Sequence, residues 1–197
     1  MKKFMVGISL ILFFIFPLQA RAGAPMDTVQ SYVDHVIEVL RDPNLKVESS
    51  KAVQKKKIES IAGDMFDFAE LSKLTLGINW KKLNDKQQGE FIDLYRTILE
   101  NAYMDRIMAY SGERVVFDKE IMFPDNKAEV RSRIITGTTE IPIYYRMFSN
   151  NGKWKVYDVI IEGVSLIKNY RTQFKEILLK NPVEELLKIL REKVSLS

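Results

Sequence analysis

The sequence predicts an α+β fold: an antiparallel four-stranded curved sheet, a meander, wrapped by N-terminal and C-terminal helices. Three observations carry this. Apolar residues recur at helical spacing from about residue 25 to residue 110. The period then falls to two, with Ala128, Val130 and Ile134 alternating with Lys127, Glu129, Arg131 and Arg133. Helical spacing returns after Gly163 and continues to the end of the chain. Helices, then a meander, then helices is the α+β pattern.

The elements follow in order. Val29, Tyr32, Val33, Val36, Ile37 and Leu40 form one face of a first helix over residues 25–41, which Asp42, Pro43 and Asn44 stop. Ser49 or Ser50 opens a second, more polar helix, in which the Lys55, Lys56, Lys57 run reads as a solvated face. A short and unusually apolar helix spans 67–77. Asp67 and Glu70 have the spacing of a reciprocal N-terminal cap, and Gly77 is placed to end it. Asn84 and Gln87 repeat the cap signature and open the longest helix, 85–110, whose stripe includes Phe91, Leu94, Tyr95, Ile98, Leu99 and Tyr103. Ser111 and Gly112 close it.

Turn residues at 125–126, 137 and 149–152 bracket strands near 114–122, 127–136, 139–148 and 153–162. Strict alternation puts Ile141, Ile143, Tyr145 and Met147 on one strand face, and Tyr157, Val159 and Ile161 on one face of the next. Two helices, 166–180 and 182–194, finish the chain, with Pro182 suited to a first turn. The long helical stripe and the curved sheet make a roll. Its interior can be core or cavity, and the residue pattern alone does not choose.

Residues 1–22 read as a secretory signal peptide. Lys2 and Lys3 are the basic region, 4–16 the apolar run, and Ala20, Arg21 and Ala22 the small-x-small pattern, with cleavage after Ala22. The apolar run falls short of the roughly 20 residues that span a bilayer. Residues 23–197 then form one domain. The whole chain has 30 Lys and Arg against 26 Asp and Glu, a net +4. Losing Lys2, Lys3 and Arg21 removes all but one of those net charges, so the balance gives no support to nucleic-acid binding. There is no cysteine, hence no disulfide framework or thiolate chemistry. The one histidine, His35, has no second His or Cys with which to form a metal site.

Catalysis finds little footing. No Gly-x-Ser-x-Gly elbow or phosphate-cradling glycine loop is present. For a carboxylate–tyrosine site Tyr103, Tyr145, Tyr157 and Asp158 are available, but on a regular strand Tyr157 and Asp158 face opposite sides, and Asp67 is better explained as a helix cap. Trp80 and Trp154 read as packing anchors.

The segments that remain distinctive are Phe66, Asp67 and Phe68 leading to Leu76, Gly77 and Trp80; Gln87, Gln88 and Phe91; and Tyr103, Tyr110 and Gly112. They continue with Tyr145 and Arg146, Trp154 to Asp158 as Trp-Lys-Val-Tyr-Asp, Glu162 to Ser165 as Glu-Gly-Val-Ser, then Tyr170, Arg171 and Phe174. In this order, behind a signal peptide, they resemble the MlaC family of periplasmic phospholipid carriers, also called toluene-tolerance proteins. The resemblance implies a soluble periplasmic carrier, monomeric and without cofactor, that maintains outer-membrane lipid asymmetry. Its implied partners are a phospholipid ligand, an inner-membrane MCE/ABC transporter complex and an outer-membrane lipoprotein complex. It implies a cavity lined by Tyr95, Ile98, Leu99 and Tyr103 of the long helix and by Ile134, Ile141, Ile143, Tyr145, Val159 and Ile161 of the strands. Leu71, Leu74, Leu76, Val164 and Ile167 complete the lining. Arg171 is the candidate head-group contact, with a surface ion pair as its other reading. A different apolar cargo, such as a hopanoid, and a non-catalytic adaptor with a solid core stay open beside this reading.

Overall fold

A computed structural model describes residues 24–196, so the segment read as a signal peptide and the expected cleavage after Ala22 lie outside the described residues. Six α-helices and a five-stranded antiparallel sheet are present among them. Helix α1 (Pro25–Arg41) carries Pro25 in its first turn, and Glu120 Oε2 accepts from Met26 N at 2.8 Å. A carboxylate at a helix N-terminus is favoured by the exposed amides and the dipole there. Helix α2 (Lys51–Met65) follows two short 3₁₀ turns. In α3 (Phe68–Leu76) Asp67 accepts from Glu70 N, but its own backbone N–H donates to Val156 O. The predicted reciprocal cap is therefore half formed, because the sheet takes the amide that Glu70 would have capped. Helix α4 (Asp85–Met108) has both halves of the Asn84–Gln87 capping box.

Strands β1 (Arg114–Phe123), β2 (Lys127–Thr136), β3 (Thr139–Asn150) and β4 (Lys153–Ile161) form the expected meander. The predicted count of four is corrected to five. Glu162 (φ 50°) and Gly163 (φ 83°) make a two-residue reversal, and β5 (Val164–Ser165) folds back onto β4 before helix α5 (Leu166–Leu178) begins. Positive φ at both central residues is what such a tight hairpin needs. Glu is an uncommon residue there, and so the sequence reads as a plain strand-to-helix turn. Helix α6 (Val183–Ser195) completes the fold, with Pro182 at its N-cap.

A second correction concerns β4. Arg146 pairs with Asp158 and Met147 with Val156, which leaves Tyr157 as an extra residue in a β-bulge. The bulge breaks the strict alternation on which Tyr157 was grouped with Val159 and Ile161. Trp154 and Val156 on one side of it, and Val159 and Ile161 on the other, share the inner face. The Tyr157 ring instead lies 6.1 Å from that of Phe148, which alternates away from inner-face Met147. The inference that Tyr157 and Asp158 must point apart fails for the same reason.

The core lies between the sheet's inner face and helices α1, α3, α4, α5 and α6. Its centre is aromatic: Phe91, Tyr95, Tyr170 and Phe174 pack at centroid distances from 5.1 to 5.7 Å, several of them edge to face. Such pairs add to what area burial alone contributes. Helix α1 packs on α2 and on β1 and β2.

Candidate functional site

The inner face of the sheet is mostly apolar, interrupted by Glu120 and by the buried Ser132, whose hydroxyl donates to Ile143 O, and it is covered unevenly. Ala128, Val130, Met147 and Val156 are buried to within 1% of complete. Toward the other end Phe117, Ile134, Ile141, Ile143 and Ile161 are only half-buried. That end collects the first residues of β1 and β3 and the last of β2 and β4, as the register pairs Ile134 with Ile141 and Ile143 with Ile161. Helix α4 reaches it too, since only residues 109–113 separate α4 from β1. Tyr103, near the C-terminal end of α4, is likewise half-buried. The fold therefore leaves an apolar strip open at one end of an otherwise packed roll.

The sequence-predicted residues divide along this gradient. Leu71, Leu76, Tyr95, Ile98, Leu99, Tyr145, Val159 and Ile167 are buried members of the single main core cluster. Leu74, Tyr103, Ile143 and Ile161 are half-buried and pack against it. Ile134 and Ile141 are half-buried on the same strand faces. Val164 stands exposed on β5. Arg171 is exposed on α5, and its Nη2 donates to Leu74 O, tying α5 to α3.

The polar groups of this region stay neutral. Burial pushes the Tyr145 phenol up to about 12, against a smaller opposing effect of its hydrogen bond to Ser132. Burial raises the Tyr95 phenol further, and its hydroxyl shares a 3.4 Å hydrogen bond with Thr75 Oγ1. The half-buried Tyr103 is raised for the same reason. A surface of this kind disfavours charge and accepts hydrocarbon. It offers no nucleophile–base pair. Among the described residues no group of three or more His, Cys, Asp or Glu is placed to hold a metal ion, and His35 is exposed.

The segment after β4 holds a feature that sequence reasoning missed. Asp158 is 2% exposed, and its carboxylate accepts from Ser165 Oγ at 2.7 Å and from Ile167 N at 3.1 Å. Ser165 Oγ in turn accepts from Lys168 N, so the two side chains cap α5 jointly. Arg146 lies 3.5 Å from Asp158 and from Glu129, and Arg131 pairs with Glu129 at 2.8 Å. This paired network holds the β4–β5–α5 turn against the sheet. The signal was the one acid of β4, set beside its apolar last residues and followed seven residues later by a serine in N-cap position.

The opposite sheet face bears a cleft of about 290 Å³ lined by Asp118, Lys119, Arg131, Arg133, Pro142 and Tyr144. Arg133 is paired there with Asp118 and Glu140, both at 2.7 Å, and Arg131 lies 4.6 Å from the Tyr144 ring centre. None of the residues predicted to hold lipid lines this cleft.

Comparison with known proteins agrees with this architecture. Over 175 residues the chain is 23% identical to the toluene tolerance protein ttg2D of Pseudomonas putida, covering 87% of this chain and 81% of that one. It is 26% identical over 125 residues to the intermembrane phospholipid transport system binding protein MlaC of Haemophilus influenzae, covering 61% of this chain and 58% of that one. A solved structure of a phospholipid-binding protein from Ralstonia solanacearum, in complex with a phospholipid, superposes with a TM-score of 0.77. It is 23% identical and is matched over 87% of this chain and 97% of its own. The family described as MlaC protein matches residues 30–192, and the chain belongs to that family.

Proposed function

We propose that this protein is a periplasmic phospholipid carrier, exported by a signal peptide cleaved after Ala22. It takes acyl chains onto the half-buried apolar strip and shuttles them between an inner-membrane MCE/ABC transporter complex and an outer-membrane lipoprotein complex. The observation that carries the reading is the uneven cover of the inner sheet face, with Phe117, Ile134, Ile141, Ile143 and Ile161 left half-buried beside Tyr103. Membership of the MlaC family and the likeness in fold to a phospholipid-bound structure support it.

The energetics suit a carrier. Exposing hydrocarbon costs about 0.8 kcal/mol per CH₂, so two chains of ordinary length cost on the order of 20 kcal/mol in water. Unassisted diffusion between membranes is then negligible. An aliphatic surface holds CH₂ groups about as well as a bilayer does, so exchange is close to balanced and partners set its direction. Such a cycle forms and breaks no covalent bond, and the neutral tyrosines around the strip are suited to it. In this assignment Tyr95, Ile98, Leu99, Leu71, Leu76, Tyr145, Val159 and Ile167 back the chains from the core. Ile134, Ile141, Ile143, Ile161, Tyr103 and Leu74 meet them, and Val164 with Arg171 flank the head group.

A vesicle exchange measurement tests the carrier step. Protein stripped of lipid, mixed with phosphatidylglycerol–phosphatidylethanolamine vesicles and recovered by gel filtration, is expected to return with about one phospholipid per chain. It should release that lipid to fresh vesicles. Recovery without phosphorus would refute the carrier reading.

A further inference from the structure

A further concavity lies away from the sheet, where the C-terminal ends of α1 and α4 meet the first turns of α2. Its volume is about 690 Å³, inside the span of about 300–1,000 Å³ over which small-molecule clefts fall. Its floor is mostly apolar, with the buried Gln54 beside it satisfied by donating its amide to Val39 O. Leu40 and Met104 belong to a small core cluster of their own, separate from the main core, and half-buried Met108 packs against it. Met104 and Met108 are four residues apart, hence on one face of α4. Tyr103, one residue away, packs on the main core instead. The C-terminal half of α4 therefore carries two apolar faces, one for each concavity.

The rim is cationic. Lys46, Lys51 and Lys55 all line the cleft. Lys46 forms no ion pair among the described residues. Lys51 is paired only with Glu48, at 2.6 Å, and both side chains are more than half exposed, a kind of pair that holds weakly. Lys55 reaches Asn101 at 3.5 Å and Glu59 at 4.0 Å. Arg41 donates to the hydroxyl of Tyr110, another lining residue, at 2.7 Å. The one carboxylate in the lining is Asp105, so donors and positive charge prevail. Ammonium groups above a methionine-rich floor match an anion joined to one hydrocarbon chain, because the soft thioethers adapt to chain shape.

We infer that this cleft binds an anionic single-chain amphiphile, of the fatty-acid or lysophospholipid class, with its head among Lys46, Lys51 and Lys55 and its chain on Leu40, Met104 and Met108. The site is distinct from the apolar strip of the sheet. An amphiphile that adheres to the carrier during lipid exchange would occupy it without displacing the phospholipid proposed above.

The test titrates cis-parinarate, a fluorescent fatty acid, into the protein as purified, with extracted phospholipid quantified in parallel. About one equivalent should bind without loss of phospholipid. The doubly substituted K46E/K51E protein should bind about tenfold more weakly, since exposed attractions become repulsions of similar size. Met108→Glu should weaken binding comparably by charging the floor. Both proteins should keep the phospholipid content and melting temperature of the parent. Palmitoyl-lysophosphatidylglycerol should compete, whereas inorganic phosphate at equal concentration should not. Unchanged affinity in K46E/K51E, binding only after phospholipid is stripped, displacement by phosphate alone, or no binding would each overturn the inference. The lysine dependence is read independently of phospholipid content, so failure of the carrier reading leaves this result interpretable.

Discussion

Asp158→Ala is expected to lower stability by about 3 kcal/mol, as read by urea denaturation followed through tryptophan fluorescence. The carboxylate receives both the Ser165 hydroxyl and the Ile167 amide inside the protein. Its removal strands two buried donors, each at about 1–3 kcal/mol. Arg146 loses one of two acidic partners but is partly exposed and keeps Glu129, so its share is small. Asp158→Asn should cost less, because an amide oxygen still accepts from Ile167 N. Ser165→Ala should fall between the parent and Asp158→Ala, since it removes the cap on Lys168 N yet leaves the Ile167 bond. A denaturation midpoint for Asp158→Ala equal to the parent's would remove this residue from the account of how the β4–β5–α5 turn is held.

Ile143→Asp is expected to deplete bound phospholipid about a hundredfold while leaving the protein folded. Ile143 sits mid-way along the apolar strip, paired with Ser132 on β2 and Ile161 on β4. Being half-buried, its side chain can hydrate an aspartate when no chain covers it. Under a hydrocarbon chain the same carboxylate costs about 3 kcal/mol, and each 1.4 kcal/mol is a factor of about ten. Val159→Asp is a poorer probe because Val159 is 5% exposed, and a charge there destabilises the core itself. Extraction and phosphorus assay of the folded Ile143→Asp protein decides the matter. Parental phospholipid content would place the chains elsewhere.

Much of the fold was legible because each element carries its own local signal. The Asn84–Gln87 box fixes the start of α4, and the Asn151–Gly152 turn fixes the β3–β4 hairpin, both residues having positive φ. Two features escaped for one physical reason: they depend on how β4 meets its neighbours. The bulge at Tyr157 arises from the pairing with β3, and strand periodicity cannot reveal a residue added to one partner alone. Strand β5 is two residues long, below what any pattern can register. The half cap at Asp67 has the same origin, since Val156 competes for its amide from the sheet. At the site, hydrophobic pattern names the inner-face residues without grading their cover. Val130 and Ile134 read alike in sequence, yet one is buried and the other half-buried, and the difference is set by where the helices stop. The Asp158–Ser165 pair is legible only once the hairpin folds the serine back onto the strand.

The most direct test of the carrier account is native mass spectrometry of the protein isolated from its producing cells without detergent, followed by fragmentation of any bound mass. The account predicts a chain beginning at Gly23 with one diacyl phospholipid attached, released intact on activation. A ligand-free mass that persists after incubation with phospholipid vesicles would contradict it.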